Sequence, residues 1–427
     1  MENKIKTVIM AGGKGTRISS IASDIPKPMI KIANKPILEH EIECLKSQGF
    51  DDIIITISHL GSIITDYFGD GSKISPVTGK TFGVHIEYFD EKEPLGNAGA
   101  LFKIKEKLTD DFLLLNADSL FEINFKRFLN FHKTHGGLAT IFTHPNSHPF
   151  DSGVIEIDAD GTVKKWYSKE DTRPIYYKNR VNAGLHILSK KILERKNISE
   201  KVDLDRQILK PLCGKHQLYV YDSPEYVKDM GTPERLQIVS NEYNNGLIHK
   251  KNLINRQKAI FLDRDGIINK YVGFLTNIDQ FELLPNVIEA IKLINNSPYL
   301  CIVVTNQPVI ARGEVTYEEL DMIHNKMETL LGLKGAYIDA IYYCPHHPNK
   351  GFPGEIKELK IDCDCRKPKP GMLLRAAKDF NIDLTQSIMI GDSDIDIQAG
   401  INANCKKNIL LPTNSTNLFN IVKSLIQ

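Results

Sequence analysis

Short apolar, β-branched runs recur along the first half of the chain, each followed by a turn and a stretch with helical spacing. Thr7–Met10, Ile53–Ile57, Phe112–Leu115 and Ala139–Phe142 read as buried strands. Between them, Ile37–Gln48 and Phe125–His135 show helical spacing. This alternation predicts an α/β fold, a mostly parallel sheet covered by helices on both faces.

Around residues 241–258 the pattern lapses into Asn-Glu-Tyr-Asn-Asn-Gly and Lys-Lys-Asn-Leu-Ile-Asn-Arg-Gln-Lys, polar and free of strand signals. The expected division is therefore one domain over 1–242, a linker over 243–257 and a second domain over 258–427. In the second half Ala259–Leu262, Leu300–Val304 and Ser387–Ile390 are again buried runs. Each ends in a polar cluster: Asp263-Arg-Asp-Gly266, Thr305-Asn-Gln307 and Gly391-Asp-Ser-Asp394. Strands that deliver polar residues at their carboxyl ends describe an open α/β sheet with its site there. The halves share no internal repeat, and no tract is of low complexity.

A length of 427 residues suits two domains of roughly 200 residues each. Hydrophobic residues at 41% and charged residues at 25% are ample for two buried cores. With 54 basic against 53 acidic side chains, the balance gives no reason to expect nucleic acid or an anionic membrane as partner, so phosphate recognition must be local. No run approaches the ~18 apolar residues of a membrane span, and Thr7–Met10 is too short for a signal-peptide core. A cytoplasmic address is expected. Seven cysteines, an odd number, argue against a disulfide framework.

The first strand exits into Ala11-Gly-Gly-Lys-Gly-Thr-Arg17. Gly12, Gly13 and Gly15 let backbone N–H groups approach phosphate oxygens, Thr16 continues the loop, and Arg17 offers a planar fork. Lys14 precedes Gly15, so this is no Walker loop, and Ile18 stands where a dinucleotide fingerprint needs its third glycine. Pro26-Lys-Pro-Met29 then fixes a second cation, Lys27, on a stiff segment.

Together these two motifs resemble the sugar-1-phosphate nucleotidyltransferases, over about residues 5–240. Leu95-Gly-Asn-Ala-Gly-Ala100, with Gly96, looks like the family's base-side loop. The resemblance implies a Rossmann-like mixed sheet of the GT-A kind, with Asp118 and Asp229 as magnesium carboxylates. It places Glu156, Lys169 and Asn182 against the sugar and its phosphate. Ser168 precedes Lys169 where the family usually has Glu, which puts recognition of one hydroxyl in question. The implied reaction is attack by an anomeric phosphate oxygen on the α-phosphorus of a nucleoside triphosphate, with Arg17 and Lys27 on the phosphates.

In the second half, Asp263-Arg-Asp-Gly-Ile-Ile268, Thr305, Lys367 and Asp392 occur in the order of the haloacid-dehalogenase phosphatases, which they resemble over about 257–427. The resemblance implies Asp263 as nucleophile, Asp265 as acid and base, and Thr305 and Lys367 on the phosphoryl oxygens. Magnesium would lie on Asp263, Asp392 and the main chain of Asp265, with Asp396 behind it and Asp394 a solvated carboxylate.

Cys344-Pro-His346 and Cys363-Asp-Cys365 add three sulfurs and an imidazole, a closed set suited to structural zinc. His347 is the weaker ligand candidate. With Thr-Asn-Gln and Ile310-Ala-Arg-Gly313, this loop is similar to that of the heptose-1,7-bisphosphate and histidinol-phosphate phosphatases, which lack a large cap. That likeness places Asn306 and Arg366 at substrate phosphate, Arg366 the more so because Ser393 replaces a basic residue. The pairing of domains resembles bifunctional heptose-activating enzymes. It implies heptose 1,7-bisphosphate, heptose 1-phosphate and GTP or another nucleoside triphosphate as substrates. A hexose-1-phosphate transferase joined to a histidinol-phosphate-like phosphatase, or a nucleotide-sugar sensor, are the rival readings. A homo-oligomer is compatible with the sequence.

Overall fold

The structure, a computed structural model, describes residues 5–13, 24–194 and 201–427. Its chain falls into two compact units. The first comprises Met1–Thr143, Ile155–Trp166 and Asn182–Asn252; the second comprises His144–Val154, Tyr167–Val181 and Leu253–Gln427. Between residues 243 and 257 lie the end of helix Pro233–Asn244, the short helix Leu247–Lys250 and the passage from one unit to the other.

The main sheet of the N-terminal half is mixed. Lys6–Met10 pairs in parallel with Asp52–Ile57 on one side and with Asp111–Asn116 on the other. His85–Asp90 extends the parallel part, while Val181–Ser189 runs antiparallel to Asp111–Asn116. Alternate residues of each strand enter different cores, as a two-residue repeat requires. Ile9, Ile53 and Leu113 pack with Leu38, Ile42 and Phe125, whereas Val8, Ile54 and Leu114 pack with Leu101, Ile104 and Ile208. The helix over Phe125–His135 is set by its ends: Asn124 Oδ1 accepts from Arg127 N at 3.0 Å, and Gly136 takes φ +73° to close it. A separate ribbon joins Ser119–Glu122 to Tyr226–Asp229, with Asp229 opposite Ser119.

The second unit holds a five-stranded sheet ordered Ala340–Cys344, Tyr299–Asn306, Lys258–Leu262, Ile388–Gly391, Lys407–Leu410. Every pairing is parallel. Ile260 and Leu262 face a core with helices Val287–Asn295, Tyr317–Gly332 and Leu418–Ile426, while Ala259 and Phe261 face Gly371–Phe380 and Asp394–Asn402. Helices on both faces leave the strand ends as the open edge where a site can form. Among the described residues no helix is long and apolar enough to cross a membrane.

Two stretches from the N-terminal half, His144–Val154 and Tyr167–Val181, belong by packing to this second unit. Arg180 pairs with Glu328 at 3.3 Å, both side chains 2% exposed, and donates to Asp339 O at 2.9 Å. Glu328 also accepts from Asn179 N at 2.9 Å, so both members of the buried pair have further hydrogen bonds. Removing one partner of such a pair typically costs about 3–5 kcal/mol.

Candidate active sites

In the first unit the carboxyl ends of the parallel strands frame a cavity of about 590 Å³. Gly12, Gly13, Lys27, Gly96, Asn116 and Asp118 line it. Lys27 opens a short turn after Pro26, and its Nζ lies 2.8 Å from Asp118 Oδ2. Asp118 precedes the ribbon strand Ser119–Glu122, and pairing of Asp229 with Ser119 brings the second carboxylate alongside. Met230 N donates to Asp118 O at 3.2 Å. Asp229 accepts from Gly231 N at 2.9 Å and from Arg235 Nη1 at 2.9 Å to each carboxylate oxygen. Burial pushes the Asp229 carboxyl up, but Arg235 and the Gly231 N–H hold it below the usual range. It is therefore anionic, as a cation site requires.

Gly15, Thr16 and Arg17 lie outside the described residues. Gly96 is required for a reason the motif does not state. It sits at φ +79°, and a Cβ there would lie 2.3 Å from Val202 O. The Leu95–Ala98 turn is bonded to Val202 through both its N–H and its carbonyl.

The structure does not bring Glu156, Lys169 or Asn182 to the lining of this cavity. Glu156 pairs with Lys164 at 2.7 Å, Asn182 Oδ1 accepts from Gly184 N at 3.2 Å, and Lys169 is exposed within the second unit. Asn97 of the expected base-side loop lines it too, and lining residues that the sequence reading missed include Ser58, His59 and Glu91. Ser58 Oγ donates to Gly12 O at 2.7 Å and pins the glycine turn. Its signal was present in the sequence: Ser58-His59 is a polar pair directly after a buried strand.

In the second unit Asp263 follows strand Lys258–Leu262 and faces Lys367. Lys367 Nζ lies 2.7 Å from Asp263 Oδ1 and 2.6 Å from Asp396 Oδ1, and donates to Val304 O at 2.8 Å. Asp263, Asp392 and Asp396 present oxygens within 4.8 Å of one another, a carboxylate cluster that suits a divalent cation. Gly266, at φ +84°, has no room for a side chain, because a Cβ would meet Asp392 Oδ2 at 2.2 Å. Burial pushes the Asp263 carboxyl up to about 7, with Lys367 opposing and Asp396 adding to the rise.

Asp265 turns its side chain to other partners. It accepts from Arg264 Nη2 at 2.8 Å, from Asn269 Nδ2 at 3.0 Å and from Gln307 Nε2 at 2.9 Å. Burial pushes its carboxyl up, yet the Arg264 guanidinium and these bonds hold it below the ordinary carboxylate range. Arg264 and Gln307, which hold Asp265, are residues the sequence reading did not single out. Thr305 Oγ1, buried at a strand end, accepts from Gln307 Nε2 at 2.9 Å.

Asn306 is turned to the Lys367 backbone, accepting from its N–H at 3.0 Å and donating to its carbonyl at 3.1 Å. Arg366 Nη1 donates to His346 O at 3.2 Å. Ser393 donates to Asp396 through N at 3.1 Å and Oγ at 2.6 Å, and Asp394 is exposed.

Cys344, His346, Cys363 and Cys365 converge. Sulfur–sulfur separations are 3.3, 3.3 and 3.5 Å, and His346 Nδ1 stands 3.4 Å from Cys365 Sγ and 3.7 Å from Cys344 Sγ. These are far beyond the ~2.05 Å of a disulfide. They approach the ~3.7 Å edge of a tetrahedron with ~2.3 Å metal–sulfur bonds. The donor set fits zinc. His347 stands apart from it and contacts Asn349.

A family model described as nucleotidyl transferase matches residues 6–246, and one described as HAD-hydrolase-like matches 364–418. The D-glycero-beta-D-manno-heptose-1,7-bisphosphate 7-phosphatase of Haemophilus influenzae is 47% identical over 156 residues, 36% of this chain and 82% of that protein. A probable mannose-1-phosphate guanylyltransferase 3 of Oryza sativa subsp. japonica is 30% identical over 234 residues, 54% of this chain and 62% of its own length. HddC from Yersinia pseudotuberculosis, solved alone and complexed with GMP-PN, is 28% identical, covering 56% of this chain and 99% of that one at a TM-score of 0.47. The chain thus belongs to the nucleotidyl transferase family through residues 6–246 and, through its C-terminal part, to the D-glycero-beta-D-manno-heptose-1,7-bisphosphate 7-phosphatase family.

Proposed function

We propose that the chain is a bifunctional enzyme of sugar activation. Its second unit removes the C7 phosphate of D-glycero-D-manno-heptose 1,7-bisphosphate. Its first unit transfers a nucleotidyl group, GMP from GTP, to the heptose 1-phosphate that remains, giving GDP-heptose and pyrophosphate. The observation that carries this reading is the coexistence in one chain of two carboxylate–lysine centres. Lys27 sits with Asp118 beside Asp229, and Lys367 sits between Asp263 and Asp396. The product of the phosphatase named among the relatives is the type of substrate a sugar-1-phosphate nucleotidyltransferase consumes.

Asp263 attacks the C7 phosphorus, and the bond to the sugar oxygen breaks to leave an aspartyl-phosphate. Asp265 gives a proton to the departing sugar oxygen. In the second step the same carboxylate takes a proton from the water that hydrolyses the acyl phosphate. Arg264 favours the anionic form that the second step needs, so the proton given in the first step must be taken up by Asp265 before the sugar oxygen leaves, and the attacking water restores it. Lys367 and Thr305 hold the phosphoryl oxygens in transit. In the first unit an anomeric phosphate oxygen, already an anion, attacks the α-phosphorus in line, so no general base is required. Lys27 and Arg17 neutralise the triphosphate, and the glycine turn admits it to backbone N–H groups. Asp118 and Asp229 would hold magnesium in the first unit, and Asp263, Asp392 and the Asp265 carbonyl in the second, where it would supply further charge neutralisation. Cys344, His346, Cys363 and Cys365 would hold zinc in a structural role.

The test is incubation of the purified chain with heptose 1,7-bisphosphate and each of four nucleoside triphosphates, following free phosphate and nucleotide-sugar together. Phosphate release with GDP-heptose formed from GTP is the expected result. Absence of phosphate release, or nucleotide-sugar made only from hexose 1-phosphates, overturns the assignment.

A further inference from the structure

Three loops leave the carboxyl ends of neighbouring parallel strands and meet at one guanidinium. Strand Lys258–Leu262 leads through the Asp263 turn to a loop bearing Tyr271, Val272 and Phe274. Strand Tyr299–Asn306 leads through the short helix Pro308–Ala311 to Arg312. Strand Ala340–Cys344 leads into the cysteine loop, which carries Phe352. The Arg312 guanidinium carbon lies 4.3 Å from the Phe274 ring centroid and 4.6 Å from that of Phe352. Both are within the ~6 Å reach of a cation–π contact. Glu314 fixes the plane of the fork, accepting from Arg312 Nε at 2.7 Å and pairing with Nη2 at 2.7 Å. The Arg312 side chain is 21% exposed, so these contacts are partly desolvated.

The two aromatic partners are held differently. Phe352 belongs to a loop joined by backbone to the Arg312 segment: Ile356 N donates to Ala311 O at 3.0 Å, and Ala311 N to Pro345 O at 3.2 Å. Gly313, at φ +69°, approaches so closely that a Cβ would lie 2.0 Å from Gly354 O. Lys360 Nζ lies a further 4.5 Å over the Phe352 ring. Phe274 is 48% exposed and is flanked by Tyr271 and Val272 at 52% and 41%. Exposed apolar side chains grouped on a loop at the carboxyl end of the sheet are candidates for a ligand face. The C–H faces of a sugar ring carry the weak positive charge that an aromatic face attracts.

We propose that Arg312 is a positioning residue. It clips the exposed aromatic loop after the nucleophile strand to the cysteine loop, fixing the wall that receives the substrate's sugar, away from the phosphate being transferred. The proposal rests on the phosphatase reading above. Arg312 itself need not touch substrate, since its guanidinium already has two aromatic rings and Glu314 as partners.

The experiment compares wild type, Arg312→Met, Phe274→Ala and the double variant on heptose 1,7-bisphosphate and on p-nitrophenyl phosphate, which has no sugar to place. Arg312→Met should raise KM for the heptose bisphosphate about tenfold, a size within reach of one partly desolvated cation–π contact. Its kcat should change less than about threefold, so the ratio of the two kcat/KM values shifts toward the aryl phosphate. The double variant should be no worse than the poorer single, because both remove one contact. An unchanged ratio overturns the proposal, whether both substrates fall together with loss of bound zinc or neither falls. Additive losses overturn it as well. Failure of the phosphatase reading is a separate result: wild type would then hydrolyse neither substrate, or Asp263→Asn would retain turnover.

Discussion

Lys367 holds Asp263 and Asp396 together on one ammonium group, and all three side chains are nearly or fully buried. One ammonium offsets only one of the two carboxylates, which accords with burial and Asp396 pushing the Asp263 carboxyl up. Asp263→Asn preserves size but provides no carboxylate to attack, so phosphate release should fall by at least ~10³-fold. Nucleotide-sugar formation from supplied heptose 1-phosphate should continue near the wild-type rate. In the first unit Asp118→Asn should show the converse, losing transfer while phosphate release persists. Assaying both activities on both variants decides the matter. Loss of both activities in either folded protein, or phosphate release by Asp263→Asn at a comparable rate, would sink the residue assignments.

Among elements, the loop from Cys344 to Cys365 carries the most consequence for its length. It leaves strand Ala340–Cys344, gathers four donors and returns two residues before Lys367. Arg366 bonds to His346 O and Asn306 brackets the Lys367 backbone, so the loop's shape bears on where Lys367 stands. A closed tetrahedral site adds folding free energy to such a loop. Protein purified without chelator should therefore contain about one tightly held zinc per chain, beyond exchangeable magnesium. Cys363→Ser should lower phosphatase turnover by roughly 10- to 100-fold, the usual span for disturbing the surroundings of a metal site. Transfer should be nearly indifferent. Metal analysis without zinc, or an unimpaired phosphatase in Cys363→Ser, would contradict this.

Considered whole, the molecule carries buried neutral histidines in both units, and these give it a common weakness to acid. His186, 1% exposed in strand Val181–Ser189, is held at about 4 by burial. His40 is held at about 4 by burial and by Lys35, and His324 at about 3 by burial and by Arg264. Each folded-state value lies below the ~6.5 of an unfolded histidine. The neutral form is favoured on folding, so the stabilisation is complete above about pH 6.5 and drains away as pH falls toward the folded values. For His186 the full swing is on the order of 3 kcal/mol. Denaturant midpoints should hold from pH 7.5 to about pH 6.5 and decline from there to pH 5, and His186→Leu should reduce that slope for the first unit. A flat profile over that range would refute the account.

Much of this protein is legible one residue at a time. The strands and helices appear in the sequence because two-residue and 3.6-residue periodicities are local. Phe125–His135 falls where expected because Asn124 and Gly136 mark its ends. The strand-end places of Asp263, Thr305 and Asp392, and the grouping of Cys344, His346, Cys363 and Cys365, were likewise readable, since strand ends and short spacings carry them. Other features depend on partners distant in the chain. No local pattern announces that Asp396 shares Lys367, that Arg264 and Gln307 hold Asp265, or that Asn306 serves the Lys367 backbone. Nor does the sequence alone reveal that Tyr167–Val181 packs with the second unit through Arg180 and Glu328. The physical reason is the same each time. Periodicity and motif order determine which groups reach a site, whereas burial and charge compensation depend on distances that only the folded chain creates.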